Sequence, residues 1–356
     1  MEVKVFDSIS EIPPSIARQF SFPTVEDFFL SLNWFACLYD TSLHSTMTPR
    51  IYCLIDNDHR PVGMIFCATK KGERTLYSLT NFYTMKFGLT SLANVSSTPQ
   101  PSDRLVEYIQ SERPRWNAID FRFMVANDLS NSDIQRALEQ NGFSVSTYFM
   151  YENWHVNMLG KDFDAYYSSL SSRLRNTIKR KEKKLNKSHL PQIRIHVNND
   201  LELEQATKDY VSIYNKSWKR PEPFPDFIPR LVLTSSKLGI LRLGLLYIDD
   251  KPAAAQLWIV TNKEALIYKL AYDEEFSSFS PGSILSREMF RYVVDIDKIK
   301  EINYGVGSEN YKKDWMSSVR KIDGMQAYNK KTIAGLSLST FRSIKTMFKP
   351  EKETSL

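Results

Sequence analysis

The stretch YKLAYDEEFSSFSPGSILSREMFRYV, residues 268–293, carries three signals in succession. Residues 268–272 are apolar and β-prone, and Asp273 closes them. After a polar link, Ser280 suits a helix N-cap. Pro281 suits the first helical position, where its missing N–H costs nothing. Gly282 lets a ligand come close to the backbone. Ile284, Leu285, Met289, Phe290 and Val293 then recur at helical spacing. A strand, a carboxylate and a bare helix start therefore lie in line. The free N–H groups and the positive helix end make an anion site there, with a simple helix start as the structural alternative.

A second stretch, EINYGVGSENYKKDWMSS (residues 301–318), reads as a strand ending in Gly305 and Gly307, then a helix-like turn with Tyr311, Lys312 and Trp315. A lysine just beyond a strand end can meet a phosphate or a developing oxyanion. It can equally be a solvated helix residue, with Tyr311 and Trp315 in the core.

Working outward, residues 238–273 read as strand, Asp-Asp turn, strand, turn, strand. Residues 50–84 show the same order, with an acidic turn and Pro61. This is a weak internal duplication, seen in pattern rather than identity. It gives two α/β (α+β) domains: residues 1–160, residues 161–335, and a basic tail at 336–356. Between the halves, Phe163, Tyr166, Tyr167, Leu170, Leu174 and Ile178 mark one amphipathic helix over residues 162–187 with a basic outer end.

Composition agrees. The 356 residues are 42% hydrophobic and 13% aromatic, enough for two cores. No apolar run approaches the ~20 residues of a membrane span, and the N-terminus lacks a signal-peptide pattern. A cytoplasmic location is expected. Cys37, Cys53 and Cys67 are few and widely spaced, which suits reduced, buried thiols. The five histidines fit no zinc spacing, so no metal is expected. The net charge of +6 is concentrated in RLRNTIKRKEKKLNKSH (residues 173–189) and in the tail. Phosphates are the natural partners: a nucleotide cofactor, an anionic membrane surface or RNA.

Taken together, residues 268–285 and 302–315 resemble the CelD/BioF2-like acyltransferases of the GNAT superfamily, relatives of the Fem peptidoglycan aminoacyl transferases. SLSSRLRNTIKRKEKKL resembles the Ser-x-x-x-Arg-basic helix that opens the same domain, and YNKSWKRPEPF (residues 214–224) matches the segment between. The resemblance covers residues 163–328. It implies tandem GNAT-like folds, each a mixed, mainly antiparallel sheet flanked by helices. It also implies an N-acyltransferase that binds an acyl donor at a strand-to-helix loop. Where that superfamily usually has Gln/Arg-x-x-Gly-x-Gly/Ala, this chain has Ser280-Pro281-Gly282-Ser283. The donor thus stays open between acyl-CoA, an acyl carrier protein thioester and aminoacyl-tRNA.

On this resemblance the donor site comprises Ser280, Pro281, Gly282, Ser283 and Ile284, and Arg175 either holds a donor or substrate phosphate or belongs to a solvated helix face. Asp273 is the candidate base, with a turn or capping carboxylate as its alternative. Lys312 resembles the Fem lysine in an aromatic-Lys-x-x-aromatic motif, there thought to stabilise the oxyanion. Tyr311 is the candidate proton donor to the leaving thiolate. Trp218, Tyr272 and Trp315 are candidate substrate contacts.

In the first half, Phe28, Phe29, Leu32, Trp34, Phe35, Leu38 and Tyr39 form either a buried helix or the wall of an apolar channel. Asn81, Tyr83 and Thr84 suit a polar headgroup among aromatics. In the tail, Leu338, Phe341, Ile344 and Phe348 share a helical face beside Arg342, Lys345 and Lys349, a pattern found on membrane-surface helices and on docked ones. Three functions follow. The first is acylation of a long-chain or lipid amine such as a sphingoid base, as in bacterial ceramide synthase. The second is Fem-like transfer from aminoacyl-tRNA to a cell-wall precursor, although Leu190-Pro191 ends the helix before any coiled-coil arm. The third is a non-catalytic accessory role in polysaccharide assembly.

Overall fold

Each half of the chain holds an acidic hairpin in the structure, a computed structural model that describes residues 1–92, 100–126, 128–307 and 309–347. The strands are β1 (Glu2–Phe6), β2 (Thr48–Ile55), β3 (Pro61–Thr69), β4 (Thr75–Ser78), β5 (Thr90–Ser91), β6 (Ala118–Val125), β7 (Phe143–Asn157), β8 (Pro191–His196), β9 (Leu241–Ile248), β10 (Lys251–Thr261), β11 (Glu264–Tyr272), β12 (Glu301–Asn303) and β13 (Ser318–Asn329). The helices are α1 (Pro14–Gln19), α2 (Leu32–Leu38), α3 (Pro101–Ser111), α4 (Leu129–Gln140), α5 (Phe163–Ser169), α6 (Ser172–Ser188), α7 (Leu203–Asn215), α8 (Phe227–Lys237), α9 (Pro281–Asp295) and α10 (Ile333–Met347).

The chain forms two compact units. One joins residues 1–150 to the residues from Lys321 onward, and the other is Tyr151–Arg320. The sequence-derived boundaries, near residue 160 and at 335, lie elsewhere. β7 is one uninterrupted run that passes from the first unit to the second, and the residues after Arg320 pair with β6. In the first unit the sheet order is β1-β2-β3-β4-β6-β13, with β5 on β3. β4 and β6 are parallel. The aromatic segment of α2 fills this core: Trp34, Phe35 and Leu38 are fully buried, and Phe35 stacks on Phe66 at 4.2 Å. Burying each such side chain contributes roughly 1.5–3 kcal/mol. Packing is therefore what the structure shows for this segment.

In the second unit the order is the second half of β7, then β12-β11-β10-β9-β8. Only β11 and β12 run parallel within it. Asp249 and Asp250, and again Asn262 and Lys263, hold positive φ at both central positions of two-residue turns, the primed geometry that matches strand twist. The order strand, two helices, three-stranded meander, helix, strand occurs in both units. α9 packs on the sheet through Ile284, Leu285, Met289, Phe290 and Val293, with Trp258 and Trp315 against it.

The single helix expected over residues 162–187 is two. α5 ends at Ser169, and Ser171 caps α6 by accepting from the Leu174 N–H at 3.2 Å. In α10, Leu338 and Phe341 are exposed. Phe348 and Lys349 of the expected tail face lie outside the described residues, as do the side chains of Ile344 and Lys345. Among the described residues no helix is long and apolar enough to cross a membrane.

Candidate active site

The site is built where two parallel strands part. β12 pairs with β11 over only three residues, Glu301–Asn303 beside Glu264–Leu266, while β11 runs on to Tyr272. Past Leu266 that edge of β11 has no strand partner among the described residues. A register shift between β10 and β11 leaves Tyr268 as an extra residue, and a bulge of this kind bends and twists its strand. An open strand edge offers N–H and C=O groups to an extended ligand.

One wall of the opening is the start of α9. Asp273 follows β11, and its Oδ1 accepts from the Glu275 N–H at 3.0 Å, capping a short 3-10 turn (Glu274–Phe279). Its Oδ2 lies 3.3 Å from Lys216 Nζ, and the side chain is buried. Both oxygens are thus occupied, as in the capping alternative. Ser280 stands at the N-cap position of α9 but in the left-handed region, φ 54°, with no side-chain capping bond. Its carbonyl instead accepts from the Ser283 and Ile284 N–H groups at 3.1 and 3.2 Å. Pro281 has no N–H, so among the described residues Gly282 keeps the one first-turn amide without a protein acceptor. Gln256, buried on β10, donates to the Gly282 carbonyl at 3.0 Å and to Ser286 Oγ at 2.7 Å, and accepts from Trp258 Nε1 at 2.9 Å. This buried network fixes the helix start against the sheet. Ile284, expected at the donor, is instead a core residue, because it faces inward on α9.

The other wall is the loop after β12. Gly305 and Gly307 take positive φ, 58° and 108°, which other residues reach only with strain. Three carbonyls thereby converge on the buried Lys312 ammonium: Val306 at 2.5 Å, Gly307 at 3.1 Å and Tyr304 at 3.5 Å. Glu309 Oε2 adds an ion pair at 2.8 Å. Burial lowers the Lys312 pKa, and Glu309 opposes the shift. As placed, Lys312 holds this loop together. Its donors are committed to protein acceptors rather than turned to a substrate. Asn303, Asn153 and Arg320 brace the loop from beneath, with Asn153 donating to Asn303 Oδ1 at 3.0 Å and to the Gly305 carbonyl at 2.8 Å.

Tyr311 is partly exposed, edge-on to Tyr304 at 5.6 Å. Burial and then the charge of Glu309 raise its pKa, so the hydroxyl keeps its proton at neutral pH. Trp315 is buried against Phe290 and belongs to the core, correcting its reading as a substrate contact. Trp218 is 48% exposed and rests on Tyr272 at 4.6 Å. Tyr272 in turn borders Gly282, where an added Cβ would meet it at 3.4 Å. Asp273, Ser280, Pro281, Gly282, Ser283, Tyr272 and Trp218 thus gather in one place.

Arg175 is half-buried on α6 and donates to the Leu170 carbonyl at 3.2 Å. Farther along the helix, Lys181 donates to the Ser278 carbonyl at 2.6 Å and Lys184 lies 4.8 Å from the Phe279 ring, tying α6 to the 3-10 turn. Asn81 and Tyr83 belong to the first unit and form a local turn there. Asn81 donates to Ser42 Oγ at 2.9 Å and accepts from the Tyr83 N–H at 2.9 Å. Two contributors carried no role in the sequence reading. Gln256 looked like any strand polar residue. Lys219 lay in the quoted YNKSWKRPEPF, where flanking aromatics were the available signal.

A family model for the GNAT acetyltransferase domain matches residues 172–313. No curated protein matches the chain's sequence. Among solved structures the chain is similar to FemX, at 11% identity and a TM-score of 0.59 over 94% of this chain and 100% of that one. It is similar also to a conserved protein of unknown function from Bacteroides thetaiotaomicron, at 9% identity and TM-score 0.58 over 92% and 100%. A third is the C-terminal DUF2156 domain of a protein named as a lysylphosphatidylglycerol synthetase from Agrobacterium fabrum, at 12% identity and TM-score 0.51 over 82% and 88%. These likenesses concern the fold, and the parted strands and helix start lie inside the matched domain. The chain carries a GNAT acetyltransferase domain over residues 172–313, and that domain marks it as an acyltransferase.

Proposed function

We propose that this chain moves an acyl group from a thioester, acyl-CoA or an acyl carrier protein, to an amine, with a long-chain amine such as a sphingoid base as acceptor. One observation carries the reading: β11 and β12 part after three residue pairs, beside a helix start whose first free amide is at Gly282. A pantetheine-like arm is extended and peptide-like, and suits the open strand edge. A phosphate suits the helix start. The C–N bond forms as the C–S bond breaks, the attacking nitrogen gives up its proton to solvent, and Tyr311, which keeps its proton at neutral pH, is the candidate to protonate the departing thiolate. The exposed Leu336, Leu338 and Phe341 of α10 support a resting place on the inner face of a membrane in the cytoplasm.

The test is thiol release from acyl-CoAs of increasing chain length, with and without sphinganine and simpler amines. Sphinganine-dependent release with long chains is the expected result, and silence across the panel with both CoA and carrier-protein donors rejects it. The Fem-like alternative, an aminoacyl-tRNA donor, draws on the exposed Arg173, Lys179, Arg180, Lys183 and Lys187 of α6, which suit a polyphosphate.

A further inference from the structure

Three lysines and two glutamates gather where the α7–α8 connection, β11 and the loop after β12 come together. Lys269 of β11 is ion-paired with Glu222 of the connection. Lys312 is ion-paired with Glu309 and bonded to loop carbonyls. Lys219 is the third. Its ammonium makes no hydrogen bond or ion pair with any described residue, and lies 5.6 Å and 5.7 Å from the ring centres of Trp218 and Tyr214. Of the three, Lys219 is the one without an ion pair to a described residue, and it shares the Tyr214 ring with Lys269, whose ammonium lies 5.3 Å from that ring centre.

Burial, and after it the charge of Lys269, push the Lys219 pKa down to about 8, with Lys312 adding to the fall and Glu309 and Glu222 acting against it. A half-buried cation without an acceptor is unfavourable unless something negative arrives. Trp218 rests on Tyr272, and Tyr272 borders Gly282, so the cluster adjoins the proposed donor site.

We propose that Lys219 receives an oxyanion of the reacting substrates: a carboxylate or phosphate carried by the acceptor, or the acyl oxygen that gains charge during transfer. This rests on the acyltransferase reading for its place in the reaction, but the anion site itself does not depend on turnover. Lys312, whose donors are spent on its own loop, leaves that position to Lys219.

The first test is a pH titration of side-chain 15N-lysine resonances in the full chain, with Lys219 assigned by its loss in Lys219→Met. Sodium phosphate, a tetrahedral oxyanion, should raise its midpoint above about 8, and sodium chloride of equal ionic strength should not. A midpoint that phosphate leaves unmoved overturns the proposal, whether or not an acyl acceptor has been found. The second test separates the two sources. If the acceptor carries the anion, Lys219→Met raises KM for anionic amines by roughly 10- to 100-fold and spares neutral ones, the range of a charge-assisted hydrogen bond. If the developing oxygen is the partner, kcat falls for every acceptor. Lys219→Arg restores much of either loss. Unchanged KM and kcat in Lys219→Met would remove the residue from the reaction.

Discussion

Replacing Lys312 by methionine separates a lysine that holds a loop from one that waits for a substrate. The swap keeps the length of the side chain and removes the donors. The Val306 and Gly307 carbonyls lose partners at 2.5 and 3.1 Å. An unmet polar group costs about 1–3 kcal/mol when buried, and because these two residues are only half-buried the pair comes to about 2–4 kcal/mol. The Tyr304 contact, at 3.5 Å, stands at the limit of a hydrogen bond and adds little. Glu309 is 59% exposed, so water takes over much of its charge and the lost ion pair adds at most about 1 kcal/mol. At about 2–4 °C per kcal/mol for a unit of this size, Tm should fall by roughly 4–20 °C. Thermal unfolding followed by circular dichroism measures it, and amide exchange should quicken at residues 304–312. An unchanged Tm with abolished transfer would refute the clamp and return Lys312 to the chemistry.

Gln256→Leu should strand the Gly282 carbonyl, Ser286 Oγ and Trp258 Nε1. Stability should drop by about 1–3 kcal/mol in urea unfolding, with KM for the donor rising more than kcat falls. Asp273→Ala removes the cap on Glu275 and the Lys216 pair, for a loss of about 1–2 kcal/mol. Asp273→Asn, which can still cap, should recover most of it, and if the asparagine variant is inert toward substrate while fully stable, Asp273 is a base after all. Lys219 binds its proton less tightly folded than unfolded. The unfolded chain therefore holds more protons between pH 8 and the ordinary lysine value of 10.5, and stability should rise with pH in that window. The rise is at most about 1.4 kcal/mol per pH unit. Comparing the wild type with Lys219→Met over pH 8–10 isolates it, and parallel curves would contradict the lowered pKa.

The opening stretch was legible where local chemistry decides. β11 ends at Tyr272 and α9 begins at Pro281, as apolar alternation, proline and helical spacing indicated. Ser280 was read as a side-chain cap, yet its left-handed backbone, which propensity does not foresee for serine, turns its carbonyl to that work. The break between α5 and α6 escaped notice because Leu170 and Ser171 interrupt neither the apolar spacing nor the charge pattern. The cage around Lys312 needs two glycine-dependent turns to bring three carbonyls to one point, so a lysine near a strand end looked free. Strand pairing was least legible. The strand over residues 318–329 was not anticipated, and nothing in their alternation says that β6 is the neighbour.

That pairing orders events during synthesis. β6 leaves the ribosome long before β13, whose residues Ile322 to Tyr328 lie along Val125 to Ala118. All of Tyr151–Arg320 is made in between. At about 5–20 residues per second, the nascent first unit waits on the order of 10–30 s with one flank of its sheet open. An open flank of this kind pairs readily with other chains. The second unit, by contrast, is one continuous segment and can close as soon as it emerges. The part of the chain made first is therefore the part finished last, and the nascent protein is most exposed to aggregation through β6 during that interval.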